Sequence, residues 1–149
     1  MRAVLQRVQR ASVTVDGRVV GRIERGLLVF VAIEAGDGPA DIAYMASKVR
    51  GLRVFPDEAG RMNRSVEDTH GALLVVSQFT LMGDARKGRR PAFDAAEAPE
   101  RARETYDAFV DELRRSGVPL EAGVFQADMQ VELINDGPVT VLLDSRRLF

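Results

Sequence analysis

The chain has 149 residues, 46% of them hydrophobic and 29% charged, with 21 basic side chains against 22 acidic ones and a formal net charge of −1. That balance describes one soluble globular unit, residues 1–149, with a sizeable core, and excludes a long disordered segment or a protein that coats nucleic acid by bulk charge. There is no cysteine and a single histidine, His70, which removes disulfides, a thiolate nucleophile, Cys-ligated metals and any multi-histidine metal site.

The N-terminal stretch Met1–Arg7 alternates polar with apolar and carries no signal-peptide core, and the longest apolar run, Leu27–Ile33, is far too short to span a bilayer. A cytoplasmic protein without a membrane partner is the expectation. Ala3–Val8 and Ser12–Val15 read as strands, and Asp16-Gly17 marks a hairpin turn into a strand over Arg18–Glu24. Leu27–Ile33 lacks polar alternation and predicts a strand buried on both faces. Pro39 opens a helix with Ile42, Met45, Ala46 and Val49 on one stripe, ending near Gly51. Leu52–Phe55 predicts a short strand closed by the Pro56–Gly60 loop.

The second half repeats the alternation. Ala72–Ser77 is an apolar strand that runs into Gln78-Phe79-Thr80-Leu81. Pro99 opens a second helix with the stripe Ala102, Tyr106, Phe109, Val110 and Leu113, stopped by Gly117. Two further strands, Met129–Ile134 and Val139–Leu143, flank Asn135-Asp136-Gly137-Pro138, which by itself reads as a turn. The fold class is α+β: a β-rich, mixed-sheet or barrel-like domain with two main helices.

Three stretches could carry chemistry. Ser77–Leu81 places polar side chains where a buried strand emerges, a place for ligand groups, or a strand end with local hydrogen bonds. Arg86, Lys87, Arg89 and Arg90 put four cations into five residues, suited either to phosphate or to a solvated loop. His70 lies in a turn-like stretch and reads as solvated surface. No base neighbours Thr80 in sequence, so a hydroxyl nucleophile lacks its partner.

Taken in order, Gln6-Arg7-Val8, Ala11–Val15, Gly26–Val29, Met62-Asn63, Ser77-Gln78-Phe79-Thr80-Leu81, Arg90-Pro91 with Phe93, Ala127–Val131 and Asn135-Asp136-Gly137-Pro138-Val139-Thr140 make the chain resemble the D-aminoacyl-tRNA deacylases over essentially its whole length. The resemblance implies hydrolysis of the ester joining a D-amino acid, or glycine, to the terminal adenosine of tRNA. It implies a homodimer with active sites at the subunit interface and no cofactor or metal. Ser77, Gln78, Phe79 and Thr80 match the motif lining the pocket. Gly137 and Pro138 match the dipeptide that, in cis, reaches into the other subunit's site and excludes L-amino acids. Phe125 matches an aromatic near the terminal adenine, and the 86–90 loop becomes the expected tRNA contact. Met82-Gly83 stands where many relatives carry small alanines. An aminoacyl ester is already activated, so the expected catalysts are the backbone amides of Phe79 and Thr80 with the substrate's own 2′-OH.

Overall fold

The structure, a computed structural model, describes residues 1–149. In chain order it contains β1 (Arg2–Val15), β2 (Arg18–Ile23), β3 (Gly26–Ala32), α1 (Pro39–Gly51), β4 (Phe55–Pro56), β5 (Met62–Arg64), β6 (Ala72–Ser77), a 3₁₀ turn (Phe79–Met82), α2 (Pro99–Arg114), β7 (Leu120–Ala122) and β8 (Gln130–Asp144). Six strands form one sheet in the order β2-β1-β3-β6-β7, with β8 added on β1, while β4 and β5 make a separate hairpin. The β3–β6 and β6–β7 pairs are parallel and the others antiparallel, so the sheet is mixed, as the sequence predicts.

The sheet curls until β2 lies over β6 and β7, nearly closing a barrel. Gly21 permits the closure, because a Cβ there would stand 3.1 Å from a Leu74 methyl and 3.2 Å from the Ala122 carbonyl oxygen. Val8, Val13, Ile23, Leu28, Leu74 and Val76 fill the curl, all buried. On the other face Leu27, Val29, Leu73 and Val75 pack against Met45 and Val49 of α1 and Phe109 and Leu113 of α2. Strand β3 is therefore covered on both sides, which is why its sequence is continuously apolar. Removing one such side chain, as in Leu28→Ala, would cost about 2–5 kcal/mol.

Local chemistry sets the element ends. Asp16-Gly17, both at positive φ, form the two-residue loop between Val15 and its partner Arg18. Helix α1 starts with Pro39, and the Asp41 carboxylate accepts the Gly38 N–H at 3.0 Å. At the start of α2, Ala98 has no side-chain acceptor, and Glu97 takes the Ala98 N–H at 2.9 Å instead, leaving a carboxylate at the positive end of the helix. No helix is long and apolar enough to cross a membrane.

Three strand expectations differ from the structure. Ala3–Val8 and Ser12–Val15 belong to one strand, because β8 pairs along the far side of β1 and carries it through the exposed Gln9 and Arg10. The short strand expected at Leu52–Phe55 is confined to Phe55-Pro56, where it pairs with β5. Asn135–Pro138 is not a turn between two strands but a bulge inside one. Two steps along β1, from Gln6 to Val8, oppose five along β8, from Thr140 to Asn135.

Candidate active site

Strand β6 leaves the sheet at Ser77, and the chain is immediately caught. The Gln78 N–H donates to the Val31 carbonyl of β3 at 2.8 Å, and the next residues wind into the 3₁₀ turn. The first hydrogen bond of that turn runs from the Leu81 N–H to the Gln78 carbonyl at 3.2 Å. The N–H groups of Phe79 and Thr80 precede it and are the turn's orphan donors. Both residues are exposed, and Phe79 is steadied by Phe93, whose ring meets it edge-on with centroids 5.2 Å apart.

This turn forms one wall of a cavity of about 1180 Å³. The facing wall is Phe125–Met129, the start of α2 at Ala98–Ala102 closes one side, and Val4 and Phe30 supply the floor. Phe125 packs on Tyr106 with ring centroids 5.6 Å apart, and the Arg103 guanidinium lies 4.9 Å from its ring centre. The buried Tyr106 hydroxyl donates to the Val75 carbonyl at 3.2 Å, and burial pushes its ionisation up to about 12, so it remains a donor. Thus Ser77, Gln78, Phe79, Thr80 and Phe125 come together around one space.

The electrostatics of the lining are one-sided. Its only ionisable side chains are Glu97 and Asp128. The Ala98 and Gly36 N–H groups hold the Glu97 carboxyl below the usual range, so it is an anion at neutral pH. No lysine, arginine or histidine lines the cavity, and His70 sits in a separate surface turn after Glu67. The lining therefore offers no cation to a phosphate group.

The other expected residues lie elsewhere. Arg86, Lys87, Arg89 and Arg90 are exposed on the loop between Asp84 and Ala92, which closes on itself through two backbone hydrogen bonds of 2.8 and 2.9 Å. Arg86 is committed to Asp84, with its Nη2 2.6 Å from the carboxylate, whereas Lys87, Arg89 and Arg90 form no ion pair. Gly137 and Pro138, joined by a cis peptide bond, are exposed on β8 and do not line the cavity of their own chain. Gly137 has φ +135°, and a Cβ there would lie 2.8 Å from a Val139 methyl, so the bulge needs glycine.

Two braces escaped the sequence reading. Arg7 donates to the Asp136 carbonyl at 3.0 Å and to the Val54 carbonyl at 2.5 Å, clamping the bulge from beneath. Asn135 accepts the Val139 N–H at 2.9 Å and donates to Thr140 at 3.1 Å, closing it from above. Gln6-Arg7 and Asn135–Thr140 were both visible as motifs, but only the strand pairing makes them one object.

Comparison with known proteins fixes first the class and then the family. The same sheet with two helices occurs in a solved structure described as a probable eukaryotic D-amino acid tRNA deacylase, at TM-score 0.79 over 95% of this chain and 97% of that one, with 20% identity. It occurs again in the c-Myc DNA Unwinding Element Binding Protein, at TM-score 0.92 and 42% identity over 97% of this chain and 98% of that one. The class these likenesses define is one of fold: a compact mixed sheet carrying two helices. Residues 4–144 match the family model described as D-Tyr-tRNA(Tyr) deacylase. D-aminoacyl-tRNA deacylases of Koribacter versatilis and Anaeromyxobacter dehalogenans are 59% and 58% identical over 149 residues, covering all of both chains. The chain belongs to this family of hydrolases.

Proposed function

We propose that the protein, acting through the one domain of residues 1–149, hydrolyses the ester of D-aminoacyl-tRNA, releasing free D-amino acid and tRNA, and spares the L-enantiomer. The observation that carries this reading is the cavity itself: two orphan backbone donors, at Phe79 and Thr80, in the wall of a largely apolar space whose only ionisable side chains are the carboxyls of Glu97 and Asp128. Such donors stabilise the oxyanion of ester hydrolysis without any change of protonation. The terminal adenosine enters beside Phe125, and the ester carbonyl oxygen points at the Phe79 and Thr80 amides. Water adds to the carbonyl carbon, the substrate's 2′-OH orients it, and the C–O3′ bond breaks with the proton passing to O3′. Orientation of an already activated ester supplies much of the acceleration.

Chirality is assigned to Gly137 and Pro138 of a second copy of the chain. The exposed residues Pro138, Thr140 and Leu142 alternate along β8 with Val139, Val141 and Leu143, which pack on the core. Leu142 pairs with Val4, and Val4 pairs with Phe30, so this exposed face runs directly into the cavity floor. A partner docked on this face brings its bulge to the cavity mouth. Rigid backbone carbonyls of Gly137 and Pro138 then exclude an L side chain by clash, while a D side chain points away. Glycine, with no side chain to reject, is hydrolysed too.

The test is incubation of the protein with D-Tyr-tRNA and L-Tyr-tRNA, following release of tyrosine. Fast release from the D-ester with little from the L-ester is expected, and equal rates would refute the assignment.

A further inference from the structure

The 3₁₀ turn that carries the orphan amides is held at both ends, and the second holder is a side chain. At its start the Gln78 N–H is fixed to Val31, as described above. At its end the Leu81 carbonyl points past the last hydrogen bond of the turn, Gly83 N–H to Thr80 at 3.0 Å, and needs a donor from outside. Arg2 supplies it, with Nη1 3.1 Å from the Leu81 oxygen. The same guanidinium places Nε 3.1 Å from Oδ2 of Asp144, whose side chain is wholly buried while that of Arg2 is 26% exposed. The second oxygen of Asp144 accepts the Arg146 N–H at 2.8 Å, so the carboxylate is fixed in turn.

The register explains why this pair stands where it does. Arg2 lies between Ala32 of β3 and Asp144 of β8. Its neighbour across the sheet is thus one residue from Val31, the anchor of Gln78. It also shares a face of β1 with Val4, which floors the cavity.

We propose that Arg2 is a positioning residue for the deacylation, locking the Phe79–Met82 turn through the Leu81 carbonyl, with Asp144 holding Arg2 in place. The inference rests on the reading that the Phe79 and Thr80 amides face the ester. An arginine fork serves a carboxylate and a carbonyl in different directions at once. A lysine ammonium is a single point of charge, which Asp144 captures. Arg2→Lys therefore keeps the buried carboxylate paired and releases the turn.

Two readouts test this. In the protein without substrate, Arg2→Lys should speed amide hydrogen exchange across residues 79–83 while leaving the rest of the sheet protected. On D-Tyr-tRNA, kcat should fall about ten- to a hundredfold, the penalty of a small misplacement of reacting groups, with KM and the D over L preference unchanged. Asp144→Asn made in the Arg2→Lys background should add little, since Asp144 acts through Arg2. If Arg2→Lys does not fold, the paired change Arg2→Met with Asp144→Leu removes both charges together, which a core tolerates, and should show the same loss. Unchanged exchange at residues 79–83, or an unchanged kcat in a folded variant, overturns the role of Arg2. Faster exchange in a protein whose wild type releases no D-tyrosine supports the brace and overturns the proposed activity instead.

Discussion

Arg7 and Asp136 meet twice: Nε of Arg7 donates to the Asp136 carbonyl at 3.0 Å and stands 3.2 Å from its carboxylate. The Arg7 side chain is 11% exposed, so the contact is shielded, and it joins the middle of β1 to the Asn135–Pro138 bulge of β8. Arg7→Ala should loosen the bulge while leaving the cavity walls in place. On D-Tyr-tRNA the rate should fall by less than about tenfold. Release from L-Tyr-tRNA should rise by about ten- to a hundredfold, as rejection by clash needs a fixed obstacle. Parallel deacylation time courses with the two enantiomers check this, and undiminished rejection of L-tyrosine would detach Arg7 from selectivity.

No histidine, lysine or arginine lines the cavity with the Thr80 side chain, whereas the Thr80 N–H is an orphan donor. Thr80→Ala keeps that donor and should retain kcat within about tenfold. A tRNA ending in 2′-deoxyadenosine should react about a hundredfold or more slowly, the scale of a lost proton-transfer or orienting group. Normal turnover of the deoxy substrate by the wild type, with a dead Thr80→Ala, would make the hydroxyl the nucleophile.

Leu142 is 59% exposed and Phe79 60% exposed, an apolar surface continuous with Val4 and Phe30. A charge there should abolish association, since obligate interfaces are strongly apolar. Light scattering of Leu142→Glu should report the 16.4 kDa chain, against twice that mass for wild type, and activity should be lost with the dimer. A fully active monomer would refute selectivity across subunits.

Of the four cations in the 86–90 loop, Arg86 alone has a carboxylate partner. Its side-chain and backbone hydrogen bonds hold the Asp84 carboxyl down to about 2, so the pair persists at every pH used for tRNA. Because that folded-state value is depressed, whatever the pair contributes is lost only as pH falls from about 4 toward 2. Arg86→Ala should then change tRNA affinity little. Arg89→Ala with Arg90→Ala should flatten log K against log[salt] by about 1.4, taking about 0.7 per single-strand phosphate. The D over L preference should persist, and an unchanged slope would show the loop to be structural.

What the sequence made legible follows the range of the interactions. The Asp16-Gly17 hairpin, the two-sided burial of Leu27–Val29 and both proline-started helices depend on near neighbours, and they appear where expected. So does the switch from apolar to polar at Ser77, which marks one cavity wall. Asn135–Pro138 misled because its composition is that of a turn, and only pairing with Gln6 and Val8 makes it a bulge. Arg2 and Glu97 gave no signal, and Arg7 was visible in a motif without its role, because an arginine or glutamate is ordinary until its partner, distant in sequence, is known. Strand β7 was overlooked because Leu120–Ala122 is short and takes its place from Leu73–Val75.

The long pairing of β1 with β8 also dictates when the protein can begin to work. Its contacts join residues as far as 142 apart, so loop closure must precede the reward of pairing. A nascent chain that has emerged only through α2 possesses the turn at Phe79 but neither the Phe125 wall nor Asp144. Competence therefore arrives with the last strand, after most of the molecule has been synthesised, and a partly made copy holds no pocket in which to cleave a charged tRNA.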